Sequence, residues 1–216
     1  MKIPETWTFE DEEVARKFDE HVVEQLPFYP FVTRAVAHVA AHYLSREGTV
    51  YDVGASTGNV GRELAPVLLA RGAHLISVEP SAEMSALWRG PGELVRKAAE
   101  DVEWVEHDAS VFMLTLMFLP PDCRKAVLAR AWEKLRVGGV MIVVDRTPAA
   151  SGYPATVLWR LTLAEKLRAG AVPGDVLAKE LSLAGVQRPL DVSCLPGSPV
   201  EFFRFGDFAA WLTEKL

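Results

Sequence analysis

The chain is short of cysteine, of basic runs and of long apolar stretches, and each shortage closes off a class of protein. Cys123 and Cys194 are its two cysteines, far apart and without companions at metal-ligand spacing, so the expectation is two reduced thiols in the cytoplasm and no disulfide framework. Apolar runs such as Val111 to Pro121 fall well below the roughly 18 residues of a membrane-spanning helix. The N-terminus turns polar and acidic within a few residues, unlike a secretory signal, and no membrane partner is expected. Against 29 acidic residues stand 23 basic ones, for a net charge of −6, and the basic clusters are brief and mixed with acids. Direct nucleic-acid binding is therefore disfavoured, and a small-molecule acceptor is the expected partner. There is no Gly-Lys-Ser/Thr phosphate loop, no Gly-x-Gly-x-x-Gly dinucleotide fingerprint and no His-Glu-x-x-His. His38 and His42 are four apart, but Val39, Ala40 and Ala41 lie between them, so the reading is an exposed or packed pair and no metal site.

What is present is the composition of a soluble globular chain: 216 residues, half of them hydrophobic and 24% charged. That length accommodates one core and is short for two domains. Two amphipathic helices are predicted at the start, from Glu10 to Gln25 and from Phe31 to Leu44, separated by the aromatic hinge Phe28-Tyr29-Pro30. Strand and helix then alternate. Strands are predicted over Thr49–Val53, His74–Glu79, Glu93–Lys97, Val111–Leu116 and Val140–Val144. Helices are predicted over Val60–Arg71, ended by Gly72, after an N-cap at Ser81, and from Pro120 to Leu135. Further helices are expected over Pro154–Arg168 and Gly174–Ala184, then strand-like runs at Leu190–Leu195, Val200–Phe205 and Phe208–Leu212. Such alternation specifies an α/β fold with a parallel sheet covered on both faces.

The informative stretch is Tyr51-Asp52-Val53-Gly54-Ala55-Ser56-Thr57-Gly58. A strand ending in an acid, then a glycine-bearing turn, then a helix brings a ligand against backbone beyond the strand ends. Ser56 occupies the place of the glycine that admits a pyrophosphate. Glu79 closes the following strand, where a carboxylate accepts both hydroxyls of a ribose, ahead of Pro80-Ser81-Ala82-Glu83-Met84. Turn and acid together specify an adenosine-containing ligand without a pyrophosphate, and S-adenosylmethionine (SAM) fits that description. Other readings are weaker. Ser56 in Gly-x-Ser-x-Gly resembles a hydrolase nucleophile elbow, but no histidine follows His107 to complete a triad. His107-Asp108 reads as a polar turn into the fourth strand, with a proton shuttle as the alternative. The six tryptophans read mostly as core, with Trp104 a candidate to line an adenine pocket; Phe28 and Tyr29 read as either a staple between helices or a lid.

The runs Tyr-Asp-Val-Gly-Ala-Ser-Thr-Gly, Val-Glu-Pro-Ser-Ala-Glu-Met and Leu-Arg-Val-Gly-Gly-Val-Met-Ile-Val resemble the class I SAM-dependent methyltransferases. A narrower likeness, carried by Thr6-Trp7-Thr8-Phe9, Leu26-Pro27-Phe28-Tyr29, Thr115-Leu116-Met117-Phe118-Leu119 and Phe203-Arg204-Phe205-Gly206, is to the carboxy-S-adenosylmethionine synthases. Those enzymes make a carboxylated SAM for tRNA modification. The resemblance implies a Rossmann-like class I methyltransferase fold, with a mostly parallel seven-stranded sheet, helices on both faces and two N-terminal helices. It implies one domain over 1–216, with a helical lid at 1–46, a SAM-binding core at 47–145 and a substrate-side part at 146–216. It also implies that Tyr29 closes over the ligand, that Gly54, Ala55 and Ser56 meet its methionine part, and that Glu79 with Pro80 holds the ribose. Ala98 and Ala99 would lie by the adenine, and Met113 would stand where the family has an asparagine. Asp52, Gly58 and Met84 complete the expected cofactor set, and Arg160 matches the arginine that receives the extra carboxylate. Two departures stand out: Ala98 replaces an aspartate that accepts from the adenine amino group, and the Asn-Gly-Tyr after strand five is missing. The expected activity is one-carbon transfer from or to the SAM sulfonium, with carboxy-SAM synthesis and a degenerate SAM-binding regulatory module as alternatives. A homodimer is implied by the family likeness.

Overall fold

The computed structural model describes residues 2–147 and 151–216. Its centre is a seven-stranded sheet. β1 (Thr49–Val53), β2 (His74–Val78), β3 (Glu93–Val95), β4 (His107–Met113) and β5 (Leu135–Arg146) are mutually parallel, and the hairpin β6 (Val200–Phe205) and β7 (Phe208–Glu214) adds β7 antiparallel to β5. The order across the sheet is β3-β2-β1-β4-β5-β7-β6.

The period of two along the central strands decides which residues serve which face. Val111 and Met113 of β4, with Val140, Ile142 and Val144 of β5, pack on one side with α3 (Tyr29–Tyr43) and α4 (Asn59–Arg71). Phe112, Met141 and Val143 point to the other side, against Val127, Leu128 and Ala131 of α6 (Pro121–Lys134). A strand buried on both faces calls for an unbroken apolar run, which β5 supplies over Val140–Val144, while β4 is buried throughout and carries His107, Asp108 and Ser110 ahead of its apolar end. Gly72 ends α4 at φ +62 and Ser81 caps α5 (Ala82–Ala86) by accepting from the Met84 amide, both as the sequence predicts.

Four expectations are corrected. The helix predicted over Glu10–Gln25 is two helices, α1 (Glu12–Arg16) and α2 (Phe18–Gln25), so three helices precede β1. Asp11 delays the start by capping the amides of Glu13 and Val14, and the backbone leaves helical geometry at Lys17. The fourth strand covers His107–Met113 and not Val111–Leu116, because Leu114 adopts φ +58 and the Thr115 hydroxyl then donates to the Val53 carbonyl at 2.7 Å, turning the chain. His107 and Asp108 are accordingly buried strand residues: Asp108 takes Arg136 at 2.8 Å and the Ser45 hydroxyl at 2.7 Å, and burial lowers the His107 imidazole. The run Leu190–Leu195 holds a 3-10 turn at Val192–Cys194, since the Asp191 carboxylate accepts the Ser193 amide and bends it, while Leu190 and Leu195 enter the core. The chain then continues, beyond β5, through α7 (Gly152–Arg168) and α8 (Pro173–Ser182) before that turn.

Candidate functional site

β1, β2 and β4 end at the same edge of the sheet, and a cavity of about 390 Å³ opens there. It lies where the strand order reverses, with β2 and β3 to one side of β1 and β4 to the other, the position at which open parallel sheets take ligands. Small-molecule sites commonly span about 300–1,000 Å³. Asp52, Gly54, Ala55 and Ser56 reach the cavity from β1 and its turn; Glu79, Pro80 and Met84 from the end of β2 and from α5. Ala98 and Ala99, after β3, Met113 at the end of β4, and Tyr29 at the start of α3 complete the wall on this side. Gly58 is not among the lining residues. At φ +89 its missing Cβ would stand 2.7 Å from the Gly90 amide nitrogen, so this glycine lets the turn pack on the Trp88–Gly90 loop and is not itself an approach for ligand.

The two carboxylates behave differently. Glu79 accepts the Ser56 amide at 2.8 Å on one oxygen and the Ser81 amide at 3.0 Å on the other. Burial pushes its carboxyl up, and those two amides pull it back. Asp52 is buried, its Oδ2 has no hydrogen-bond partner among the described residues, and burial with the Glu79 charge pushes it up to about 7. An unpaired buried carboxylate at a cavity wall is short of a cationic or donor partner. Ser56 holds its turn at φ +54, a conformation costly to a side-chain-bearing residue, and its amide is thereby aimed at Glu79. Burial, together with the Asp52 and Asp19 carboxylates, raises the Tyr29 phenol and keeps it protonated.

The N-terminal segment roofs the cavity. Trp7 donates its amide to the Ser182 carbonyl at 2.9 Å, the Ser81 hydroxyl donates to the Phe9 carbonyl at 2.7 Å, and Asp19 of α2 accepts from Thr57 at 2.6 Å and Asn59 at 2.9 Å. Phe28 and Tyr29 divide their roles: Phe28 packs on Phe203, Phe205 and Phe208, and Tyr29 lines the cavity. Trp104 does not line it; its ring sits 4.6 Å from Tyr51 and 5.5 Å from His107, in the core beneath the sheet.

Arg160 is exposed on α7 and is not among the residues that line the cavity. The cations that do line it, Arg146, Lys166 and Lys179, escape the sequence reading, as do His21 and Gln25 of α2. A signal existed for three of them. Phe18, His21, Val22 and Gln25 share one stripe of α2, and Val176, Lys179 and Leu183 share one at α8, so polar residues stand at positions of an apolar face. His38 and His42 stack at 4.5 Å with His42 Nδ1 on the His38 carbonyl, and no cluster of three metal-ligating side chains occurs among the described residues. No helix among them is long and apolar enough to cross a membrane.

No protein-family model matches the chain. It is 26% identical over 192 residues to the carboxy-S-adenosyl-L-methionine synthase of Staphylococcus epidermidis, covering 87% of this chain and 84% of that protein. Among solved structures, a putative S-adenosyl-L-methionine-dependent methyltransferase from Methanococcus maripaludis superposes with a TM-score of 0.60 at 14% identity, covering 99% of this chain and 97% of that one. A putative O-methyltransferase from Nostoc punctiforme gives a TM-score of 0.62 at 14% identity over 94% of this chain, which spans 60% of that longer protein. The strand order, the glycine turn after β1 and these likenesses agree: the chain has the class I SAM-dependent methyltransferase fold, and in sequence it is similar to the carboxy-S-adenosyl-L-methionine synthases.

Proposed function

We propose that this chain is a SAM-dependent transferase, moving a one-carbon group from or to the SAM sulfonium with a small molecule as its acceptor. The observation that carries the reading is the pair of buried carboxylates on one cavity wall: Asp52 with an unpartnered oxygen, and Glu79 with both oxygens oriented by backbone amides. SAM presents an ammonium and a ribose diol, the two groups such carboxylates satisfy. When bound it supplies a one-carbon group already activated on a sulfonium. The protein's own residues then have to bind, orient and exclude water. Asp52 holds the ammonium, Glu79 with Pro80 the ribose, and the Gly54–Ser56 backbone the rest of the methionine part. Ala98 and Ala99 offer the adenine a small apolar wall and backbone groups. Tyr29, Met84 and Met113 shape the cavity around the ligand, and residues 1–46 serve as its lid, 47–145 as its binding core and 146–216 as its substrate side.

A second reading, carboxy-SAM synthesis, is favoured by the name of the Staphylococcus epidermidis relative. In this reading Arg160 acts from a second copy of the chain. Tyr153, Val157 and Leu161 are exposed along one stripe of α7 beside it, an apolar face suited to a homodimer, and sedimentation would read that association. The free thiols Cys123 and Cys194 accord with a reducing, cytoplasmic setting. Mass spectrometry of the small molecule released on denaturing freshly purified protein, with calorimetric titration of S-adenosylhomocysteine, tests both readings. Release of SAM or S-adenosylhomocysteine supports methyl transfer, carboxylated SAM supports the synthase, and failure of either nucleoside to bind at millimolar concentration refutes the assignment.

A further inference from the structure

The part of the cavity wall contributed by α2, β5, α7 and α8 carries a separate set of charges. Arg146 pairs with Asp207 at 2.6 Å and with Glu180 at 3.1 Å, and Lys166 pairs with Glu180 at 3.1 Å. Two cations are thus balanced by two carboxylates. Lys179 is the surplus. Its side chain stands over the Trp7 ring, the residue is 8% exposed, and its ammonium makes no hydrogen bond or ion pair among the described residues. Two further side chains on this part of the wall are as deeply buried and equally unprovided for. His21, stacked on Trp7 at 5.6 Å, has an unpartnered Nε2, and Gln25, one turn along α2, has an unpartnered Oε1. All three line the cavity, and the wall around them is apolar, with Phe9, Phe18 and Leu183. Buried polar atoms are ordinarily satisfied, so two unpartnered ones beside a lysine whose ammonium has only the Trp7 ring mark the footprint of an absent polar group.

Resting on the transferase reading, we infer that this part of the cavity receives the carboxylate of the acceptor, an aryl or alkyl carboxylic acid, with Lys179 as its cationic contact and the His21 Nε2–H as a hydrogen-bond donor to it. An anion is the group that lets Lys179 carry its charge here, because Asp207 and Glu180 are already taken by Arg146 and Lys166. A neutral or cationic acceptor would leave Lys179 as it is or add repulsion from Lys166 and Arg146. The apolar wall takes the body of the acid, leaving its other end directed toward the reacting part of the cavity. Electrostatics concur. Burial, with Lys166 adding repulsion and Glu180 opposing it, lowers the Lys179 amine to about 5, and burial with Lys179, the N-terminus and Lys166 lowers His21 to about 4. The empty site therefore holds both neutral at physiological pH, and an arriving carboxylate restores the charge of Lys179 by drawing in a proton.

The experiment is calorimetric titration of 3-phenylpropionate and of its amide, 3-phenylpropionamide, into the full chain saturated with S-adenosylhomocysteine, at pH 8 in two buffers of different ionisation enthalpy. The expected result is millimolar or tighter binding of the acid, at least tenfold better than the amide, with uptake of about one proton at Lys179. Lys179→Met should remove both the preference and the proton uptake while retaining S-adenosylhomocysteine. Equal binding of acid and amide, absence of acid binding, or uptake that persists in Lys179→Met overturns the inference. The buffer comparison on the unaltered protein needs no variant, so a misfolded Lys179→Met does not blunt the test. Loss of S-adenosylhomocysteine binding in the unaltered chain would instead count against the transferase reading, and the two failures are separable.

Discussion

Lys179→Met should make the protein more stable and erase the rise of its stability with pH above neutrality. In the unfolded chain this lysine holds its proton to about 10.5, whereas in the folded protein burial first, and then Lys166, lowers it to about 5. Between those values the unfolded state binds one proton more than the folded state, so stability increases with pH, at no more than ~1.4 kcal/mol per unit. Neighbouring groups confine the useful window. Asp52 and Asp145, both raised by burial to about 7 from 3.8, act in the opposite sense and are about three-quarters ionised by pH 7.5, so above it they offset only a few tenths of a kcal/mol. His21, lowered to about 4 from 6.5, has all but finished titrating. The interval from pH 7.5 to 8.5 is therefore set mainly by Lys179, with the burial-raised Asp52, Asp145 and Cys194 opposing it weakly. Across it the unaltered protein should gain up to ~1.4 kcal/mol, equivalent to about 3–6 °C for a chain of this size. Urea denaturation at the two pH values, with the slope against denaturant held constant, measures the gain directly. Methionine preserves the length and apolar character of the stem over Trp7, so the variant should be nearly flat across the window and more stable at its lower end. An unaltered protein whose stability does not change between pH 7.5 and 8.5, or a variant that keeps the slope, would show that Lys179 is charged in the folded state and refute the argument.

Three further outcomes follow from the same geometry. S-adenosylhomocysteine affinity should fall about tenfold per unit as pH drops below 7, because an ammonium favours ionised Asp52 and burial holds that group near 7; Asp52→Asn should weaken binding by roughly ten- to a hundredfold and flatten the profile, both read by calorimetry. Gly54→Ala should cost at least tenfold in the same affinity and about 1–2 kcal/mol in stability, since the residue sits at φ +74 and its Cβ would stand 2.5 Å from the Thr115 hydroxyl that holds the Val53 carbonyl; unchanged binding would remove the turn from the site. Phe28→Ala should destabilise the fold by about 3–5 kcal/mol, measured by denaturation, because three phenylalanine rings of the β6–β7 hairpin lie within 5.5 Å of its own.

What was legible in the sequence is what the backbone dictates. Gly54 is readable because a positive φ and a close neighbour exclude a side chain, and Glu79 because a strand that ends in an acid beside that turn has one ligand-facing place to go. Ser81 and Gly72 are readable because caps satisfy local backbone groups with local side chains. The resemblance supplied the seven strands. The failures rest on features the apolar pattern does not record, some of them contacts remote in sequence. β4 stops at Met113 because Thr115 finds the Val53 carbonyl, and the α1–α2 break at Lys17 divides an apolar pattern that runs on without interruption. Gly58 looked like a ligand glycine until the Trp88–Gly90 loop was seen against it.

Lys179 is the instructive case, because the information was present and the sequence reading passed over it. A lysine on a short helix reads as solvated surface. Yet Val176, Lys179 and Leu183 fall at spacings of three and four, as do Phe18, His21, Val22 and Gln25 on α2, so each polar residue occupies a position where the pattern calls for an apolar one. A single such mismatch is a satisfied core residue more often than a site. Two helices, far apart in sequence, that direct their mismatches into one cavity are another matter, because unpartnered atoms at His21 and Gln25, beside a buried Lys179 with no ion pair, are a standing cost that packing does not recover. Local consistency is what a fold requires of its sequence, and a ligand is what makes a concentrated departure from it tolerable.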